Sequence, residues 1–335
     1  MTQTPLAPIS SGPQDTVATA PLTPAHGITA RPRVHRSRIA AYVALTKPRI
    51  IELLLVTTLP SMVLAAGGLP SWPVALTTML GGTLAAGSAN ALNCYLDRDI
   101  DAIMRRTGRR PLARHEVSPT GALIFGLLLG TIAVLAIGTV TNWLAGALTL
   151  AAIAFYILVY TMLLKRRTAQ NIVWGGVAGC MPGLIGWTAV TGSLAAAPFA
   201  LFAVVFFWTP PHTWALATRY REDYARAGVP MLPVVAPARR VAVEITVYTW
   251  LTVAASLALW PLGAGWVYGA LAAVAGAVLI VSAHRLLRQT TRGAADNAAG
   301  AAAGVGLAKP MQFFHLSNSY LAFVFVAVAV DTFVR

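Results

Sequence analysis

Apolar runs of about twenty residues follow one another along most of this chain, separated by short polar breaks. A helix needs roughly 20 apolar residues to cross a hydrocarbon core of ~30 Å, so each run reads as a membrane span. Nine spans are expected, at about 50–68, 72–95, 118–138, 142–164, 171–191, 197–217, 242–261, 264–284 and 313–333. Backbone groups left unpaired in lipid cost several kcal/mol each, and the ten-residue alternation of a membrane barrel is missing. The expected fold class is therefore all-α: a polytopic membrane protein of nine helices, residues 41–335, behind a disordered tail over residues 1–40. That tail is rich in Pro, Thr, Ala and Gly and has no apolar periodicity. It holds no short apolar core followed by a cleavage site, so a cleaved secretory signal is not expected.

Charge gives the orientation. Charged residues make up only 11% of the chain, against ~25% in soluble domains. The balance of 25 basic to 11 acidic residues gives a net charge of +14, which in a soluble protein would suggest nucleic acid. Here the charge is too sparse for that, and no nucleic-acid partner is expected. With the N-terminus in the cytoplasm, only Arg335 of the 25 basic residues falls outside, and the outer loops carry no charge. This is a positive-inside distribution, with the polar loops on the cytoplasmic face. A bacterial inner membrane is the expected location, with a mitochondrial one as the alternative. Cys94 and Cys180 sit in apolar stretches without CxxC spacing and read as reduced packing residues.

Acidic residues do not follow the topology rule, so their positions speak more directly of chemistry. In NCYLDRDIDAIMRRTGRRPL, the residues Asn93, Asp97 and Asp101 are spaced four apart. At about 100° per residue they form one oxygen-lined stripe at the inner end of the second span, with Asp99 on the opposite side. Clustered carboxylates disfavour their own ionisation unless something positive lies against them. Mg2+ is commonly held by one or two carboxylates together with substrate phosphates, and Arg105, Arg106, Arg109 and Arg110 could grip phosphate oxygens. A diphosphate site is the functional reading; a solvated helix end with internal ion pairs is the structural one.

A second cluster, Tyr220, Glu222, Asp223, Tyr224 and Arg226, lies at the inner end of the sixth span, before the helix breakers Gly228 and Pro230. Glu52 lies just inside the first span, as a functional group or as one snorkelling to the interface with Arg49 as partner. His212, two turns inside the sixth span beside Pro210 and Pro211, either faces a cavity or bonds a neighbouring helix. Asn171, beside Lys165 and Arg166, caps the fifth span or contacts substrate. His284 and His315 read as interfacial.

The Asn93-x3-Asp97-x3-Asp101 stripe resembles the first aspartate-rich motif of the intramembrane, UbiA-type prenyltransferases. The strings TKPRIIELLLVTTLP (46–60), NCYLDRDIDAIMRRTGRRPL (93–112), NIVWGGVAGCMPGLIGW (171–187), FFWTPPHTWALA (206–217) and REDYARAGVPMLPV (221–234) resemble the heme O synthase branch of that family. The resemblance covers residues 40–335. It implies nine helices around a central cavity and transfer of a farnesyl group from farnesyl diphosphate to a vinyl group of protoheme IX, with addition of water. It further implies Mg2+ and diphosphate at Asn93, Asp97 and Asp101. In the second motif Tyr220 and Tyr224 stand where the wider family has aspartates, which leaves Glu222 and Asp223 as the acidic residues, Asp223 being taken as the metal ligand. Contact with heme A synthase or with terminal-oxidase assembly factors is a further implication.

On this reading the second loop contributes Tyr220, Asp223 and Tyr224 to catalysis, and His212 contacts heme. Arg49, Lys165 or Arg166 meet the propionates, and Trp174, Phe206, Phe207, Trp208 and Trp214 line a greasy channel. Two alternatives are a prenyltransferase acting on a quinone or chlorophyll precursor, and a transporter. Transporters place polar groups near the bilayer midplane, whereas these carboxylates gather at one face.

Overall fold

The computed structural model describes residues 37–298, 307 and 309–335; among them every regular element is helical and there is no strand. The N-terminal tail expected over residues 1–40 lies almost wholly outside the described residues. Helix α1, Arg38–Thr46, is followed by α2 (Pro48–Ala66), α3 (Trp72–Leu96), α4 (Arg98–Ile103) and α5 (Pro119–Val140). Helix α6, Trp143–Ala154, runs directly into a π-helix over Phe155–Leu164. Then come α7 (Asn171–Gly175), α8 (Val177–Thr191), α9 (Ala196–Arg219), α10 (Arg221–Arg226), α11 (Leu232–Val235), α12 (Ala238–Ala258), α13 (Trp266–Ala298) and α14 (Pro310–Val334).

Among the described residues, eight helical stretches are long and apolar enough to cross a membrane, and they coincide with eight of the nine expected spans. The remaining one, α3, is helical over 25 residues but is not among the eight. Its Asn90 and Asn93, with several Thr and Gly residues, dilute its apolar character. Two local expectations are revised. Helix α1 has no counterpart among the expected spans: Ser37 Oγ caps it by accepting from the Ala40 amide, and Ala41 and Leu45 are buried beneath it. Helix α13 continues to Ala298, well past the expected end at 284, because a hydropathy window ends at the membrane while a helix ends only at a breaker. Helix α9 passes without interruption through Pro210 and Pro211.

Between helices in lipid there is little hydrophobic drive, so close packing of small residues matters. On α5, Gly126 and Gly130 are spaced four apart and face α3. A methyl on Gly126 would stand 2.7 Å from Leu92 Cγ, and one on Gly130 2.7 Å from Ser88 Oγ. The same device joins α2 to α8, where a methyl on Gly186 would meet the Thr58 carbonyl at 2.8 Å. Ser88 and Ser61 donate to carbonyls of the facing helices, Gly126 and Gly183. Outward-facing side chains of α5 such as Ile124, Leu128 and Ile132 are exposed in the isolated chain, as a lipid-facing surface requires. The largest core joins α9, α12, α13 and α14 around Trp208, Trp214, Ile245 and Phe325. Cys94 and Cys180 are buried and free.

Candidate active site

Helix α3 ends at Leu96 and α4 begins at Arg98, yet the four-residue spacing survives the junction. The Asp97 amide donates to the Asn93 carbonyl at 2.9 Å and the Asp101 amide to the Asp97 carbonyl at 2.8 Å. The stripe is therefore real, and Asn93, Asp97 and Asp101 are all buried. Asp99, on the other side, is exposed and held by both terminal nitrogens of Arg166 at 2.7 Å. That guanidinium holds its carboxyl down at about 2.

Buried carboxylates need positive partners, and the fold supplies them from three segments. Lys165, just past the π-helix, pairs with Asp97 Oδ2, and Arg110 pairs with Asp101 at 2.6 Å. Lys47, between α1 and α2, donates to Asn93 Oδ1 at 2.9 Å, while Asn93 Nδ2 donates to Asp97 Oδ2 at 2.6 Å and to Thr161 Oγ1 at 3.3 Å. The wider π-turn brings Thr161 to this point: its hydroxyl donates to the Tyr156 carbonyl five residues back. Lys47 itself stands in left-handed backbone conformation, φ 54°, a strained choice for a lysine. Asn90 supports it by donating to the Thr46 carbonyl at 2.9 Å.

The charge count is uneven: Lys47, Lys165 and Arg110 surround two carboxylates. Burial brings Lys47 down to about 8, and repulsion from Arg110 and Lys165 adds to this. Such a site has positive potential to spare for an anion. Asp97 Oδ1 is buried and accepts no hydrogen bond, and Arg166 lies 3.6 Å from it. Among the described residues no three His, Cys, Asp or Glu side chains converge to hold a metal on their own. Mg2+ does not need three, since one or two carboxylates suffice when substrate phosphates complete the shell. The orphaned Asp97 Oδ1 and the hard-oxygen donors Asn93, Asp97 and Asp101 fit that arrangement.

The second acidic loop docks on the first. Asp223, at α10, is buried, accepts the Arg106 amide at 3.0 Å and pairs with Arg226. Burial would raise its carboxyl, but the Arg106 amide and Arg226 outweigh that and hold it below the ordinary range. The Arg106 side chain lies over the Tyr220 and Tyr224 rings and donates to the Tyr224 hydroxyl at 3.2 Å. Arg105, Arg106, Arg219, Arg221, Tyr220, Glu222 and Asp223 line an open polar cleft of about 560 Å³. Asp223 is thus engaged by the backbone of the first loop and by Arg226 rather than joined directly to Asp97 or Asp101.

An apolar cavity of about 210 Å³ lies among α2, α3, α6 and α8. Leu54, Leu55, Gly82, Ala86, Ile153 and Ile185 are among its walls, and Asn90 and Tyr156 supply polar atoms. Asn90 is one turn from Asn93 on α3, so the cavity approaches the carboxylate stripe. None of Trp174, Phe206, Phe207, Trp208 and Trp214 lines it; Trp208 and Trp214 belong to the α9 core instead. Small residues leave the space that large aromatics would fill.

Other expected site residues fall elsewhere. Arg49 and Glu52 are exposed and form no ion pair with each other. Arg105 and Arg109 are exposed. Lys165 and Arg166 are paired with Asp97 and Asp99, at the carboxylate stripe. Asn171 is not the cap of the fifth span, since Gln170 holds that position. Instead Asn171 is buried and its Nδ2 donates to the Thr168 carbonyl at 2.7 Å, closing the loop that presents Lys165. His212 stacks between Trp208 and Phe314, with ring centroids at 4.2 and 4.3 Å, and its Nδ1 meets Ser317 Oγ at 2.9 Å. It therefore bridges α9 to α14. Lys47, Asn90 and Thr161 were not anticipated as site residues. The Asn90/Asn93 pair in an otherwise apolar span was the one signal that could have pointed there.

The UbiA prenyltransferase family matches residues 54–318. A protoheme IX farnesyltransferase of Cutibacterium acnes is 57% identical over 307 residues, covering 91% of this chain and 88% of that protein. One from Salinispora tropica is 57% identical over 301 residues, covering 89% and 90%. A digeranylgeranylglyceryl phosphate synthase structure matches with a TM-score of 0.71 at 16% identity, covering 89% of this chain and 99% of that one. A UbiA homolog from Archaeoglobus fulgidus, bound to GPP and Mg2+, matches with a TM-score of 0.59 at 15% identity, covering 86% and 99%.

Proposed function

The chain belongs to the UbiA prenyltransferase family, and from that premise we propose that it transfers the farnesyl group of farnesyl diphosphate to a vinyl group of protoheme IX. The observation that carries this reading is the buried Asn93–Asp97–Asp101 stripe, wrapped by Lys47, Lys165 and Arg110 and approached by an apolar cavity. A polar anion site joined to a greasy space suits a prenyl diphosphate, charged at one end and apolar at the other. The relatives named protoheme IX farnesyltransferase, at 57% identity, supply the acceptor.

In this mechanism the farnesyl tail lies along Leu54, Leu55, Ala86 and Ile185, where water is excluded. Lys47, Lys165 and Arg110 hold the diphosphate and stabilise the charge that grows on it as the carbon–oxygen bond breaks. Asn93, Asp97 and Asp101 would hold Mg2+, which supplies Lewis-acid neutralisation of the same charge. Asp223 fixes the Arg106 backbone so that Arg105 and Arg106 close over the diphosphate, with Tyr220 and Tyr224 beneath the guanidinium. The vinyl carbon then attacks the allylic cation, and water captures the resulting heme-side cation as a hydroxyl. His212, held by Ser317 at Nδ1, is the residue assigned to the heme side. The loops bearing these residues face the cytoplasm of a bacterial cell, by the positive-inside distribution.

The test uses purified full-length protein with Mg2+, farnesyl diphosphate and either protoheme or 4-hydroxybenzoate, a quinone precursor. Hydroxyethylfarnesyl heme and pyrophosphate in equal amounts, with no prenylated benzoate, are expected. Prenylated benzoate without a heme product would overturn the assignment of the acceptor.

A further inference from the structure

Away from the carboxylate stripe, a cleft of about 630 Å³ lies between α13 and α14. Arg285, Gln289, Lys309 and Gln312 line its polar end, and Val278 and Val281 form part of its apolar wall. By the alternation of helix direction, the polar end lies on the same membrane face as the active site. Three observations bear on what fills it. Val278 and Val281 are 52% and 47% exposed, so the wall opens to the lipid side of the helix bundle. Arg285 and Lys309 are exposed, and no described residue forms an ion pair with either. Helix α13 packs against α12 and α14, and no lining residue is shared with the active-site cavity.

We propose that this cleft binds one anionic phospholipid. Its phosphate lies between Arg285 and Lys309, the amides of Gln289 and Gln312 donate to the remaining oxygens, and one acyl chain runs along Val278 and Val281. Basic pockets between membrane helices at the cytoplasmic side suit anionic headgroups, and Arg offers a phosphate two parallel donors. The apolar wall distinguishes this occupant from a free phosphate, which would leave the valines uncovered. Neither Phe314 nor Ser317, the α14 residues that touch His212, lines the cleft.

Native mass spectrometry of the detergent-purified full chain tests this, with dioleoyl phosphatidylglycerol and dioleoyl phosphatidylcholine added at equal concentration. One phosphatidylglycerol should be retained in preference, and Arg285→Ala/Lys309→Ala should reduce its retention on the order of tenfold. Arg285→Lys/Lys309→Arg, which keeps both charges, should retain it as wild type does. This separates loss of charge from loss of fold, and equal melting temperatures check the fold directly. Equal retention of the two lipids by the wild type would overturn the proposal, as would undiminished phosphatidylglycerol on the alanine variant. Displacement of the lipid by inorganic phosphate or by hemin would overturn it too, the first assigning the cleft to a free anion and the second to heme.

Discussion

Lys47 shows how much of this site rests on single side chains that carry no motif. In the sequence it is one more positive residue at the inner edge of a span. In the structure its amine donates to Asn93 and so helps set which oxygens of the stripe remain open. Asp97 and Asp101 were legible because a four-residue spacing on a helix means one face, and that periodicity survives the break at Leu96. Lys165 and Thr161 were not legible as partners of Asp97 and Asn93, because the contacts span 68 residues and depend on a π-helix that no local pattern announces. Asp223 should act through position: Asp223→Ala leaves the Arg106 amide without its acceptor, a loss of about 1–3 kcal/mol. The expected result is a higher KM for farnesyl diphosphate, measured by pyrophosphate release, with a smaller change in kcat. Tyr224→Phe removes one exposed hydrogen bond and should change KM by less than about fivefold.

At the scale of helices, glycine and alanine do two different jobs. Gly186 lets α8 approach the Thr58 carbonyl of α2, so Gly186→Ala should push the helices apart and cost about 1–3 kcal/mol, read as a lower melting temperature. Gly82 instead borders empty space: a methyl there would meet nothing closer than Leu55 Cδ2 at 3.9 Å. Gly82→Leu should therefore fold, fill part of the cavity and favour shorter chains. Its ratio of kcat/KM for geranyl over farnesyl diphosphate is expected to rise by at least about tenfold, since a few methylenes in an apolar pocket are worth that much. Eight spans were legible to within a few residues at most ends, because hydrocarbon thickness sets their length. The end of α13 was not, since nothing polar stops a helix outside lipid, and the aromatic-lined channel was a misreading of bulk as lining.

For the molecule as a whole, the fold separates orientation from chemistry. Basic residues collect at one end of the helices, and the few acids that matter lie buried among them. An introduced cysteine reads that orientation cleanly because Cys94 and Cys180 are buried. In intact bacterial cells a membrane-impermeant maleimide should label Ser193→Cys, between α8 and α9, and spare Arg221→Cys at the other end of α9; the reverse pattern would invert the topology. All three scales meet in the claim that the stripe is where the diphosphate departs. Asp97→Asn keeps the side chain's shape and removes its charge, but it leaves the partly buried Lys165 beside a neutral partner, at a cost of up to about 3 kcal/mol. Asp97→Asn/Lys165→Met removes that stress, so its melting temperature should return towards wild type. The decisive measurement is Mg2+-dependent pyrophosphate release from farnesyl diphosphate and protoheme by these two variants. A loss of at least about 100-fold in both, including the one that melts like wild type, is the expected result. Turnover near the wild-type rate in either would contradict the account.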